Sequence, residues 1–142
     1  MGFSIIFIYI YIYIYISMNS IQKRFIAFIF GCILTRSLFV LIALKTPKKY
    51  LPYLGMLAII PAIGFFTIYM GGYRKTGMEV FGKKIWWNNL RPIHAILYSI
   101  FSYLAIMKNN NSYIPLLMDV IIGLVSFIFH HYTDGSFSKL MV

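Results

Sequence analysis

The chain has 142 residues, of which 61% are hydrophobic and only 11% charged, and its mean hydropathy is +0.80. Soluble domains carry about 25% charged residues, so this composition excludes a large soluble enzyme domain, a disordered tail and a repeat solenoid, and implies one small membrane domain. Thirteen Lys and Arg stand against three acids, Glu79, Asp119 and Asp134, for a formal charge of +10. The cations fall between apolar segments, so they read as positive-inside topology and contacts with anionic headgroups, not as a nucleic-acid surface.

Residues 8–16 read IYIYIYIYI. Strict alternation ordinarily marks a half-buried strand. The codons ATA and TAT encode Ile and Tyr, however, so an AT dinucleotide repeat read in frame yields the same string. The expectation is that residues 1–17 are an extension ahead of a natural start at Met18, and that MNSIQKRF is a polar, basic lead-in to the first span. A short extra membrane segment or a cleaved signal are the alternatives. As a signal the stretch is poor, because no cation precedes its apolar run and no small-x-small site follows it. Residues 18–142 then form a single domain.

The expected fold is all-α and polytopic: a bundle of four transmembrane helices with a long interfacial loop between the second and third. The first span is predicted at 25–44, bounded by Lys23 and Arg24 on one side and Lys45, Lys48 and Lys49 on the other. The second is predicted at 50–70, with Pro61 inside it and a kink expected there. The third covers 93–107, and the fourth 113–132 after the turn KNNNS. Eight Lys and Arg lie in the termini and long loop (Lys23, Arg24, Arg74, Lys75, Lys83, Lys84, Arg91, Lys139), and four in the short connectors (Lys45, Lys48, Lys49, Lys108). The bias predicts both termini and the long loop on the cytoplasmic side. Asn110-Asn111-Ser112 matches a glycosylation sequon on the other side, close against the membrane.

Two ionisable residues fall inside spans, Arg36 and Asp119, where an unpartnered charge costs several kcal/mol. Counted at about 1.5 Å per residue, they lie roughly 12 Å and 9 Å from the outer ends of their helices, so a buried ion pair is predicted. In the fourth span Asp119, Gly123, Ser126 and His130 recur at four, three and four residues and share one face. His94, Tyr98 and Ser102 form a similar stripe in the third. Small and polar residues face other helices in a membrane, so these stripes predict a slightly polar bundle interior, either a packing face or a transport path. His94, His130 and His131 are expected at matching depth near the cytoplasmic surface, and are the weak candidates for haem or metal ligation. The reading overall predicts no cofactor and no resident metal. Cys32 is the only cysteine, so no intramolecular disulfide, CxxC motif or cysteine-rich zinc site exists.

The long loop reads GGYRKTGMEVFGKKIWWNNLRP. Its Gly and Lys-Thr do not have phosphate-loop spacing. Trp86 and Trp87 suit a headgroup-level belt, with Arg74, Lys75, Lys83, Lys84, Asn88 and Arg91 meeting phosphates and Glu79 pairing locally with a cation. The run YRKTGME, then GKKIWWNNLRPIHAILY, then a span with DVIIG, resembles an uncharacterised family of small polytopic membrane proteins of large DNA viruses and protists. The resemblance covers about residues 25–132; it implies a membrane location and a viral setting, and supplies no catalytic residues.

Three function classes follow. The first is a structural or assembly membrane protein that binds lipid or a partner, as a homo-oligomer or with another membrane protein. The second is a small transporter, channel or viroporin-like oligomer using Arg36 and Asp119. The third is a haem- or metal-binding membrane redox protein. No GxSxG, HExxH or paired-carboxylate constellation is present, so an enzyme is the least favoured.

Overall fold

The computed structural model describes residues 2–77 and 84–140, with side chains from residue 5 onward. It is all-helical. Helix α1 runs Gly2–Ser17, α2 Ser20–Lys45, α3 Leu51–Met70, α4 Arg91–Ile106 and α5 Tyr113–Thr133, with 3-10 turns at Trp86–Leu90 and Ser138–Leu140. Among the described residues the only β pairing is an isolated bridge between Thr76 and Lys84.

Three helices, α2, α3 and α5, are long and apolar enough to cross a membrane. They match three of the four spans expected from the sequence. Helix α4 is the exception: its 16 residues reach about 24 Å at 1.5 Å per residue, against a hydrocarbon core of about 30 Å.

Helix α1 stands apart. Its Ile and Tyr side chains from Ile5 to Ile16 are all exposed, and the contact it makes with α2 is Lys23 Nζ over the Tyr15 ring at 4.8 Å. The alternation does not make a strand, because a strand needs a partner to satisfy its backbone, whereas a helix satisfies it internally.

Helix α2 begins at a capping box. Asn19 Oδ1 accepts from the Gln22 N–H at 2.8 Å, and Gln22 Oε1 accepts from the Asn19 N–H at 3.0 Å. The same two side chains donate to the Lys139 and Leu140 carbonyls, both at 3.1 Å. The start of the bundle and its C-terminal turn are therefore tied together.

The middle of α2, Ala27–Leu34, is π-helical, and this has a geometric effect. On an α-helix, residues four apart rotate by about 40° at each step. The wider π turn absorbs that drift, so Arg24, Phe28, Cys32 and Arg36 all line one cavity.

Helices α3 and α4 form the tightest pair. Gly55 lets the backbones approach, and the Ser102 hydroxyl donates to the Gly55 carbonyl at 2.7 Å. Ala58 and Ala62 on α3 and Ala105 on α4 keep the seam small. Helix α4 packs next against α5, and α5 against α2. No comparable packing joins α2 to α3, so the cycle α3–α4–α5–α2 is left unclosed there. Helix α3 continues without interruption through Pro61.

Candidate functional site

The cleft between α2 and α3 widens into a cavity of about 870 Å³, within the range of about 300–1,000 Å³ typical of ligand sites. Its walls are largely apolar and aromatic: Phe28 and Phe39 from α2, Pro61, Phe65 and Ile68 from α3, Trp86, Trp87 and Leu90 before α4, and Phe127 from α5. Its charged lining is one-sided. Arg24, Arg36, Arg74, Lys84 and Arg91 face a single lining acid among the described residues, Asp134. Ser136 donates to Asp134 at 2.9 Å; that hydrogen bond, with Lys139 and the two histidines nearby, holds its carboxyl below the ordinary aspartate range.

Arg36 and Asp119 meet at one end of this cavity. Arg36 Nη1 donates to Asp119 Oδ2 at 3.0 Å, with side-chain exposures of 14% and 1%. The other carboxylate oxygen, Oδ1, is bonded to His94 Nδ1. An ionised carboxylate only accepts, so in that state Nδ1 carries the ring proton and Nε2 is free of one. Arg36 Nη1 stands 3.1 Å from His94 Nδ1 and 3.4 Å from Nε2, and its guanidinium lies 5.6 Å from the Phe65 ring centre on α3. Gly123 faces the pair across α5: a Cβ there would make an ordinary 3.8 Å contact with Arg36 Nη1. Tyr98, one turn beyond His94, is buried and packs on Phe65 with ring centres 5.9 Å apart.

His94 does not share a layer with the other histidines, as the sequence had suggested. Helices α4 and α5 are antiparallel, so pairing 94 with 119 sets residue 100 level with residue 113. Helix α4 thus overhangs the start of α5, and the turn Trp86–Leu90 occupies the layer that His94 was expected to hold. There Trp86 stacks on His130 at 4.5 Å and 10°, while Phe28 stacks on Phe127 at 4.0 Å and 5°. His131 is buried against Phe25 and Phe127, and its Nδ1 has no hydrogen-bond partner among the described residues. His94 is thus engaged by Asp119 and His130 by Trp86, and no described contact joins His94 to His130 or His131. Among the described residues no group of three His, Cys, Asp or Glu side chains is close enough to hold a metal.

The remaining expected residues divide. Ser102 serves the α3–α4 seam and Ser126 is half-buried outside the cavity lining. Arg91 is 4% exposed, too deep to be a surface headgroup contact; it donates to Asn88 Oδ1 at 2.7 Å and to the Tyr73 carbonyl at 3.4 Å, pinning the loop to α4. Arg74 and Lys84 are exposed at the cavity rim, and Lys75 is exposed beside them, its carbonyl accepting from the Ile85 N–H at 3.0 Å. Trp86 and Trp87 are half-buried in the cavity wall instead of forming a surface belt. Glu79 and Lys83 lie outside the described residues. The cavity itself was missed, because Arg24, Phe28, Cys32 and Arg36 come onto one side only through the π-helical stretch.

Comparison with known proteins yields no further guide: no family model, no curated protein and no solved structure matches the chain.

Proposed function

We propose that the chain is a polytopic membrane protein in which α2, α3, α4 and α5 form one four-helix bundle, with both termini and the 71–90 loop on the cytoplasmic side, and that it binds an anionic amphiphile in the cavity between α2 and α3. The observation that carries this reading is the cavity's combination of aromatic walls with five cationic linings against one acid. Apolar walls take a hydrocarbon chain, and the cations take its charged group. The unclosed edge between α2 and α3 supplies a sideways entrance from the bilayer. In a membrane the short α4 is packed against its neighbours along one face, where Ala95, Tyr98, Phe101 and Ala105 are buried, and turns Ile96, Ile100 and Tyr103 outward. A role in assembling or organising a membrane follows from holding such a lipid.

The two tryptophans of the chain both line the cavity, which makes their fluorescence a direct reporter. In phosphatidylcholine nanodiscs, brominated phosphatidylglycerol is expected to quench them more strongly than brominated phosphatidylcholine at the same mole fraction. Gly31→Phe fills the cavity from a position where an added Cβ meets nothing within 4 Å, and is expected to abolish the preference. Equal quenching by the two lipids in the wild type contradicts the reading.

A further inference from the structure

Arg36 carries five N–H donors into the apolar interior, and its described polar partners, Asp119 Oδ2 and the His94 ring, are all met by one nitrogen, Nη1. Nε and Nη2 have no hydrogen-bond partner among the described residues, and the side chain lines the cavity. Twelve residues along α2, with the π-helical stretch between them, separate it from Arg24. Neither Nε nor Nη2 is among the fully enclosed polar atoms, so this donor edge opens onto the cavity.

We propose that this edge of the Arg36 guanidinium is the binding point for the oxyanion of the amphiphile, and that the anion is taken up together with one proton on the His94–Asp119 pair. The proposal rests on the lipid-binding reading above and deepens it. A guanidinium edge grips two oxygens of a phosphate or carboxylate in a planar fork. The other side of the same guanidinium is already fixed by Asp119, His94 and Phe65, so the edge is held in place before the ligand arrives.

Charge balance supplies the proton. With Arg36 charged, Asp119 ionised and His94 neutral, the cluster carries no net charge. An added monoanion leaves the buried site at minus one, and a proton returns it to zero. The charged and titratable groups around His94 are Arg36 and Cys32 from α2, Asp119 from α5, and Tyr98 and Arg91 on its own helix; α3 presents the uncharged Phe65. Of these, the His94–Asp119 pair already shares a hydrogen bond beside the guanidinium and has on Nε2 a lone pair free to accept the proton. Uptake of one proton with each anion strengthens binding by up to about tenfold for each unit the pH falls.

The test is the tryptophan-quenching titration of the full chain in phosphatidylcholine nanodiscs containing brominated phosphatidylglycerol, between about pH 8 and pH 5.5. Wild type is expected to bind phosphatidylglycerol at least about tenfold tighter at the lower pH. His94→Asn keeps a donor for Asp119 but not the titrating ring, and is expected to flatten that dependence. Arg36→Gln with Asp119→Asn removes both charges together and is expected to lose the preference for phosphatidylglycerol over phosphatidylcholine. Displacement of the lipid by inorganic phosphate supports the same oxyanion site with a free phosphate as its source; resistance to phosphate, with the Arg36 dependence intact, supports the lipid headgroup. A wild-type preference for phosphatidylglycerol that is independent of pH and survives the double variant overturns this inference and leaves the lipid-binding reading standing. No preference at any pH overturns both.

Discussion

Asp119→Ala is expected to cost about 3–5 kcal/mol, because it leaves the Arg36 guanidinium in the bundle interior without its counter-charge and His94 without its acceptor. Asp119 is among the most deeply buried side chains described, at 1% exposure. Typical domain stabilities are about 5–15 kcal/mol, so the variant loses a large share of its stability. The check is reversible unfolding in mixed detergent micelles, with yield of folded protein as a second readout. Arg36→Met/Asp119→Leu removes both charges and is expected to recover most of the loss, since apolar replacements of a buried pair are often neutral. His94 then lacks its carboxylate partner, which limits the recovery by about 1–3 kcal/mol. Equal damage in the single and double variants would show that the pair is not the source of the effect.

The second large effect is expected at the α3–α4 seam. A Cβ on Gly55 would sit 2.8 Å from the Ser102 carbonyl oxygen and 3.1 Å from both the Ala105 Cβ and the Ile106 Cγ1. The nearest of these atoms is backbone and cannot rotate away, so the helices must separate and the Ser102–Gly55 hydrogen bond must lengthen. Gly55→Ala is expected to cost about 1–3 kcal/mol as an overpacking change, and Gly55→Leu to prevent packing of the pair. Gly31→Ala is the control: a Cβ there meets nothing within 4 Å, so removing a helical glycine is expected to be neutral or stabilising by about 0.5–1 kcal/mol. Parallel unfolding curves check both, and similar losses at the two glycines would contradict the close approach at Gly55.

These two features differ in how visible they were in the sequence. Arg36 and Asp119 are conspicuous because a membrane penalises charge, and depth counted along each helix was enough to match them. His94 escaped because its depth was counted from the connector, as if α4 and α5 began level; the overhang of α4 is a property of helix packing and leaves no local mark. The π-helical stretch AFIFGCIL is apolar throughout and carries no turn signal, so its rephasing of Arg36 toward α5 was likewise invisible. Asn19 and Gln22, by contrast, form a capping box at recognisable spacing.

The loop shows a different limit. Trp86 and Trp87 have the composition of an interfacial belt, and nothing local to WWNN says otherwise. The position of Trp86 is decided at long range, by Phe28 on α2 and by Phe127 and His130 on α5, and Trp87 packs edge-on against Trp86. Arg91 reads as one more loop cation, yet its partner Asn88 lies three residues before it, and together they fold the turn inward. The three longer helices were legible because stretches of about 20 predominantly apolar residues admit little else. Helix α4 was legible as a helix, but its 16 residues fall short of the length of the other three.

Whether the cavity between α2 and α3 holds an anionic amphiphile is read out by native mass spectrometry of protein released gently from phosphatidylcholine–phosphatidylglycerol membranes. The predicted result is a protein ion that retains phosphatidylglycerol in preference to phosphatidylcholine and loses it when Gly31 is replaced by Phe. A bare protein ion, or one carrying both lipids in their membrane proportion, would contradict the claim.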